Sequence, residues 1–118
     1  MKTPYPLPLL RTLPLREQPG AAELHFALGN YAQALADFDQ TLAFAPEFIM
    51  AICGRALTLH ALGRATEALA LWSTLLEQDE RFHDALWVGR EMSLPSAMVA
   101  EAHRLTMRLK AQPDAADR

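Results

Sequence analysis

The sequence repeats itself at an interval of 34 residues. The segment LGNYAQALADFDQTLAFAP begins at Leu28 and the similar segment LGRATEALALWSTLLEQDE begins at Leu62, so Gly63 follows Gly29 by 34 residues (63 − 29 = 34). A period of this length is typical of arrays of small structural units, each of which buries its apolar face against its neighbours. The period therefore constrains the fold more strongly than any other feature of the chain.

The body of the chain has the apolar spacing of amphipathic helices, interrupted by glycine, proline and acidic breaks. The predicted helices cover residues 20–28, 31–44, 48–61, 65–78, 83–93 and 96–111. In the last helix the polar face is predicted to carry Glu101, Arg104 and Arg108, opposite Met98, Ala102, Leu105 and Leu109. Short connections favour antiparallel neighbours, so we expect an all-α fold, a right-handed stack of antiparallel helical hairpins.

Alignment at the 34-residue offset gives columns with a physical meaning. A small residue for close helix approach recurs at Ala34, Ala68 and Ala102. The next turns of the same face hold larger residues, namely Phe38, Trp72 and Thr106, followed by Thr41, Leu75 and Leu109. Gly29 and Gly63 align with Ala97 at the turn inside each unit, where a left-handed backbone favours glycine. Three repeats are therefore predicted, the third of them eroded.

These residues resemble the tetratricopeptide repeat, a helix–turn–helix unit of 34 residues. The resemblance is carried by Gly29, Tyr31, Ala34, Phe38 and Pro46 in the first unit, and by Gly63, Ala68, Trp72 and Leu75 in the second. It covers roughly residues 16–112 and implies an α-solenoid of about six helices. The chain then divides into a proline-rich leader (1–18), a helical domain (19–112) and a C-terminal tail (113–118).

In this family the first helix of each unit lines a concave surface that holds a segment of a partner protein. The resemblance places on that surface Glu23, Phe26, Met50, Cys53, Leu57, His60, Asp84, Trp87 and Glu91. Four of these are large apolar residues at helical spacing, so they are equally suited to the core: Phe26, Met50, Leu57 and Trp87. The sequence leaves both interpretations open.

The predicted groove also indicates the chemistry of a partner. One subfamily grips the C-terminal carboxylate of chaperones with Lys, Asn and Arg, but the matching positions here are Pro19, Glu23, Gly54, Asp84 and Val88. An anionic tail is disfavoured, and a hydrophobic or basic peptide is expected. Residues 21–95 contain four basic and ten acidic side chains without any basic stripe, which argues against nucleic acid as a ligand.

Composition narrows the remaining function classes. The chain has 118 residues, of which 51% are apolar, which suits one domain with one core. A single cysteine, Cys53, excludes an intramolecular disulfide and, with no apolar run of about 20 residues, favours a cytoplasmic protein without a membrane span. The four histidines show no HxxxH or HExxH spacing, and no catalytic triad or phosphate-binding loop occurs. We expect no metal, no cofactor and no catalysis.

The leader, which contains TPYPLPLL, combines prolines with many apolar residues. Alternating prolines favour an extended conformation that docks readily on aromatic grooves. The apolar residues are Tyr5, Leu7, Leu9, Leu10, Leu13 and Leu15. Three interpretations compete: a disordered tail, a strap over the shortened first hairpin, and a ligand for the groove of a neighbouring protomer. The apolar content favours the strap.

The sequence therefore predicts a non-catalytic protein–protein interaction module, an adaptor or assembly factor, that binds a peptide segment of a partner. Two alternatives of other classes stay open. One is a small chaperone that shields an assembly subunit, as in bacterial secretion systems, and the other is a self-associating structural protein that forms a homo-oligomer.

Overall fold

The structure is a computed structural model that describes residues 20–111. Within that range the chain forms six α-helices and no strand, with a short 3-10 helix, Glu80–His83, before the fifth α-helix. The α-helices are α1 (Ala21–Ala27), α2 (Tyr31–Phe44), α3 (Ile49–Ala61), α4 (Ala65–Gln78), α5 (Ala85–Glu91) and α6 (Ser96–Lys110). The all-α prediction is confirmed, with each predicted boundary within two residues. The leader (1–18) and the tail (113–118) lie outside the described residues.

The two glycines of the repeat end α1 and α3 in the same way. Gly29 has φ = 83° and Gly63 has φ = 85°, a left-handed backbone that glycine adopts without a steric cost from Cβ. After Gly63, the Arg64 N–H donates to the Leu59 carbonyl at 2.9 Å, which closes a Schellman turn. The prediction that these glycines form the turn within each hairpin is confirmed.

The turn of the third hairpin lies earlier than the alignment predicts. Ala97 is in the first turn of α6, and the left-handed residue is Ser93, with φ = 54°. The Leu94 N–H donates to the Gly89 carbonyl at 3.0 Å, so the same Schellman turn forms around a serine. The placement of Ala97 at the turn was therefore wrong. Pro95 then supplies the extended residue from which α6 begins.

The second helix of each hairpin keeps the 34-residue register in the core. The small residues that align at the 34-residue offset are fully buried, namely Ala34, Ala68 and Ala102. The larger residues that align one turn later are buried as well, namely Phe38, Trp72 and Thr106. Burial of these residues on one face of α2, α4 and α6 removes apolar surface from water, at about 25 cal/mol per Å2. The column alignment thus predicted the core face of three helices.

Helix α6 contacts more than its partner in the third hairpin. Consecutive helices pack against one another from α1 to α4, and α5 packs on α6, but α6 also contacts α3 and α1. In a regular solenoid each unit contacts only its neighbours, whereas here the third unit reaches the first. The structure therefore does not confirm the right-handed solenoid. The contacts of α6 with α1 and α3 decide which surfaces of these two helices stay open.

Candidate functional site

An open cleft of about 1070 Å³ lies where the beginnings of α1 and α3 meet the segment that joins α5 to α6. Its walls come from four parts of the chain: residues 20–23, residues 37–41 of α2, residues 47–51, and residues 91–95. These parts are distant in sequence. They come together because α2 packs on α1 and α3, and because α6 also packs on α1 and α3. The cleft is large enough for several side chains of a ligand.

The surface of the cleft is largely apolar around the start of α3. Phe48 immediately precedes α3, and its side chain is 45% exposed. Ile49 and Met50 follow in the first turn of α3, both partly buried, and Met92 and Leu94 face them from the α5–α6 segment. Exposed aromatic and Met side chains supply large and adaptable contact area, so this surface suits an apolar ligand.

Every charged side chain that lines the cleft is acidic. Among residues 20–111 these side chains are Glu23, Asp37, Glu47 and Glu91, and this described part of the lining contains no Lys, Arg or His. The hydrogen bond from His25, at 2.7 Å, and a second one from Gln33 lower the pKa of Asp37, so its carboxylate is charged at neutral pH. Asp37 is partly exposed and Glu47 and Glu91 are exposed, whereas Glu23 is buried, with 8% of its surface accessible. An apolar surface with exposed acidic side chains at its edge attracts positive charge and disfavours anions.

Three residues of the predicted groove line this cleft, namely Glu23, Met50 and Glu91. Phe26, Cys53 and Leu57 are instead buried in the core and do not line the cleft, as the core interpretation of Phe26 and Leu57 expects. The predicted groove therefore stays open only at the end of α3 that carries Met50.

The reason for this burial is the position of α6. Cys53, Leu57 and His60 are spaced so that they share one face of α3, and α6 packs against α3 and α1. His60 on this face is bonded to Glu101 and to Arg108 of α6. The chain thus fills most of its own inner surface with its last helix. His60 is a structural contact in this arrangement, not part of an exposed rim.

The polar contacts of α6 also correct the predicted orientation of Glu101. Glu101 was expected on the solvent face, yet it is buried, with His60 Nδ1 at 2.6 Å and Arg104 Nη2 at 2.6 Å from its carboxylate. Burial raises the pKa of Glu101, but the hydrogen bonds and charges of Arg104 and His60 outweigh it, so the pKa is lowered overall. A buried carboxylate with these partners is a structural group.

Asp84 and Trp87 lie elsewhere, beside the 3-10 helix. The Asp84 carboxylate caps α5 by accepting from the N–H groups of Leu86 and Trp87, at 3.0 and 3.3 Å. The Trp87 ring packs edge-on against Phe82, with centroids 5.4 Å apart, and the guanidinium of Arg81 lies 4.6 Å from its centroid. Neither residue lines the cleft, so their assignment to one groove with Met50 has no support in this geometry.

A second, smaller groove of about 690 Å³ lies between α5 and α6. Its apolar residues include Leu86 and Val99, and its charged and titratable side chains are Arg90, His103 and Arg104. The two grooves therefore differ in the sign of their charge.

The cleft includes residues that the sequence analysis did not select. Phe48, Glu47 and Leu94 lie in connections between helices, and the family resemblance predicts binding residues only on the first helices. The one signal in the sequence was an aromatic residue two positions after Pro46, at a predicted helix start.

Among residues 20–111, no group of three or more His, Cys, Asp or Glu is arranged to hold a metal ion. No helix in this part of the chain has the length and apolar character needed to cross a bilayer. Comparison with protein-family models, with curated proteins and with solved structures finds no match to this chain. The resemblance to the tetratricopeptide repeat therefore rests on the repeat residues themselves.

Proposed function

We propose that this chain is a non-catalytic interaction module that binds an apolar, positively charged peptide segment of a partner protein in the cleft at the start of α3. The observation that carries the proposal is the combination of an apolar surface, formed by Phe48, Ile49 and Met50, with charged side chains that, within the described residues, are all acidic. Such a site binds through burial of a few anchors and selects its ligand by charge.

The repeat pattern supports the same proposal. The glycine turns and the buried alanine column favour a tetratricopeptide-like pairing of helices for the first two hairpins. In that family the first helices carry the ligand, and Met50 of the first helix of the second unit lines the cleft. Because α6 covers the rest of this face, the ligand contact is confined to a short stretch. A short peptide is therefore a better fit than an extended one.

Selection from a random dodecapeptide library displayed on phage tests the proposal. The full chain is expected to enrich peptides with several apolar residues and a net positive charge. Phe48→Glu should weaken binding of the enriched peptides at least about tenfold, because it places a charge among the apolar anchors. Phe44→Glu is the matched control, since Phe44 is 86% exposed at the end of α2 and outside the cleft.

Two results would contradict the proposal. Enrichment of acidic peptides would show that these acidic side chains do not select the ligand. Equal loss of binding in Phe48→Glu and Phe44→Glu, with circular dichroism unchanged in both, would show that exposed aromatic residues bind without a specific site. A loss confined to Phe48→Glu is the expected result.

Self-association is a second candidate, which the opposite charges of the two grooves favour. The acidic cleft of one chain and the groove with Arg90 and Arg104 of another could form a head-to-tail contact. Light scattering across a range of concentrations at low salt tests it. A mass that rises with concentration supports self-association, and a constant monomer mass in the wild type and in Arg90→Glu rejects it.

A further inference from the structure

We infer that the leader, residues 1–18, occupies the acidic cleft of its own chain and competes there with the external peptide. This inference rests on the proposed function of the cleft and specifies how access to it is regulated. The leader is named as the occupant because of where it joins the described structure and because of its charge and apolar content.

The point of attachment places the leader at the cleft. Gly20 is the first described residue and lies in the cleft wall, immediately before α1. Its backbone is extended, with φ = −85° and ψ = 167°. The residues that precede Gly20 therefore enter α1 beside the cleft. About ten residues in an extended conformation span roughly 33 Å, so the leader is long enough to reach Phe48 and Leu94 across the opening.

The charges of the leader and the cleft are opposite. Residues 1–18 contain Lys2, Arg11 and Arg16 against a single acid, Glu17, for a net charge of +2 (3 − 1 = 2). The charged side chains of the cleft lining are four carboxylates. Opposite charges draw the segment to the site, and a tether of this length supplies a high effective concentration.

The apolar content of the leader also matches the ligand class of the cleft. Its six leucine and tyrosine side chains (Tyr5, Leu7, Leu9, Leu10, Leu13 and Leu15) would bury apolar surface against the residues at the start of α3. Its prolines restrict the backbone before docking, so less conformational entropy is lost. The leader therefore has the properties that the cleft selects in a partner, which makes it an internal competitor.

A spin label on the full-length chain tests the inference. Thr12→Cys adds a reactive thiol in the leader without changing its charge or apolar residues, while the native Cys53 is buried. The label is expected to broaden the amide signals of residues 47–51 and of Met92 and Ser93, which line the cleft but not the second groove and are distant from the leader in sequence. Amides of Leu86 and His103, in the second groove, serve as the reference and should be unaffected.

Charge reversal supplies the matched variant. Arg11→Glu together with Arg16→Glu changes the leader's net charge from +2 to −2 (2 − 4 = −2) and should abolish the broadening at residues 47–51. The same variant should bind a peptide enriched in the phage selection at least about fivefold more tightly than the wild type, because the internal competitor is released.

Each other outcome overturns the inference. Absence of broadening at the cleft, or broadening that is equal at Leu86 and His103, shows that the leader does not dock there. Broadening that appears when spin-labelled chains are mixed with isotope-labelled chains lacking the label shows that the occupant is a second copy. If the enriched peptide binds the cleft while the label gives no effect, the proposed function stands and this inference fails.

Discussion

The Nδ1 atom of His60 lies 2.6 Å from Oε2 of Glu101 and joins α3 to α6 across 41 residues of sequence. Both side chains are buried, with 6% and 7% of their surface exposed. Arg108 Nε donates to Nε2 of the same imidazole at 3.0 Å, so Nδ1 carries the proton that is donated to Glu101. Arg104 bonds the other carboxylate oxygen. This cluster holds α6 over the inner face of the first two hairpins.

Removal of the imidazole should destabilise the fold. His60→Ala leaves Glu101 buried with Arg104 as its remaining partner, so the free energy of unfolding is expected to fall by about 3 kcal/mol. His25→Ala is the matched control, because His25 bonds Asp37 at 2.7 Å but with 34% and 21% of the two side chains exposed. It should cost much less than His60→Ala, because solvent screens the exposed pair. Urea denaturation followed by circular dichroism measures both, and equal losses would contradict a special role for the α3–α6 pair.

The stability that Glu101 provides should depend on pH in one direction. Its pKa in the folded protein is lowered from an ordinary value of 4.5, so the folded state binds the proton less readily than the unfolded state. The stability advantage of the wild type over Glu101→Gln is therefore complete above about pH 4.5 and decreases as the pH falls through the folded pKa. Urea denaturation of both proteins at a series of pH values tests this. An advantage that grows in acid would contradict the charged, hydrogen-bonded carboxylate.

The serine in the third turn offers a stabilising substitution. Ser93 has φ = 54°, a conformation that is costly for a residue with a Cβ. Ser93→Gly should raise the free energy of unfolding by about 0.5 to 1 kcal/mol. The converse change, Gly63→Ser at φ = 85°, should lower it by a similar amount or more. Thermal unfolding of the two variants checks the pair of predictions, and a destabilised Ser93→Gly would show that the serine side chain stabilises the turn.

Cys53 should be inert in the folded protein. The thiol is fully buried in α3, and burial raises its pKa, so the reactive thiolate is scarce. Modification by a water-soluble thiol reagent at neutral pH is expected to be more than about 100-fold slower in buffer than in concentrated urea. The rate of modification is measured from the release of the reagent's coloured leaving group. Rapid reaction in buffer would mean that α6 opens frequently from the inner face.

The sequence predicted those parts of the fold that depend on local pattern. Gly29 and Gly63 were recognised because a left-handed turn leaves a compositional signal, and Ala34 and Ala68 because close packing needs a small side chain. The third turn was misplaced because Ser93 adopts the same backbone without that signal. Periodicity thus identified the helices of all three hairpins, but it identified the turn in only the first two.

The cleft could not be predicted because it depends on contacts between distant segments. Phe48 and Leu94 are 46 residues apart (94 − 48 = 46), and they line one cleft in a fold in which α6 packs against both α1 and α3. The same contact buries Cys53 and Leu57, which the family resemblance placed on an open surface. A resemblance based on the repeat indicates which helices pair, but not that the last helix returns to cover the first ones.

Mapping of amide chemical shifts on the full chain, titrated with a peptide enriched in the phage selection, tests the central claim most directly. We expect the largest shifts at residues 47–51 and at Met92 and Ser93, which are distant in sequence but line one cleft. Phe48→Glu is expected to remove these shifts, and Phe44→Glu is expected to leave them unchanged. Shifts centred on Leu86 and His103 in the second groove, or shifts that survive Phe48→Glu, would contradict it.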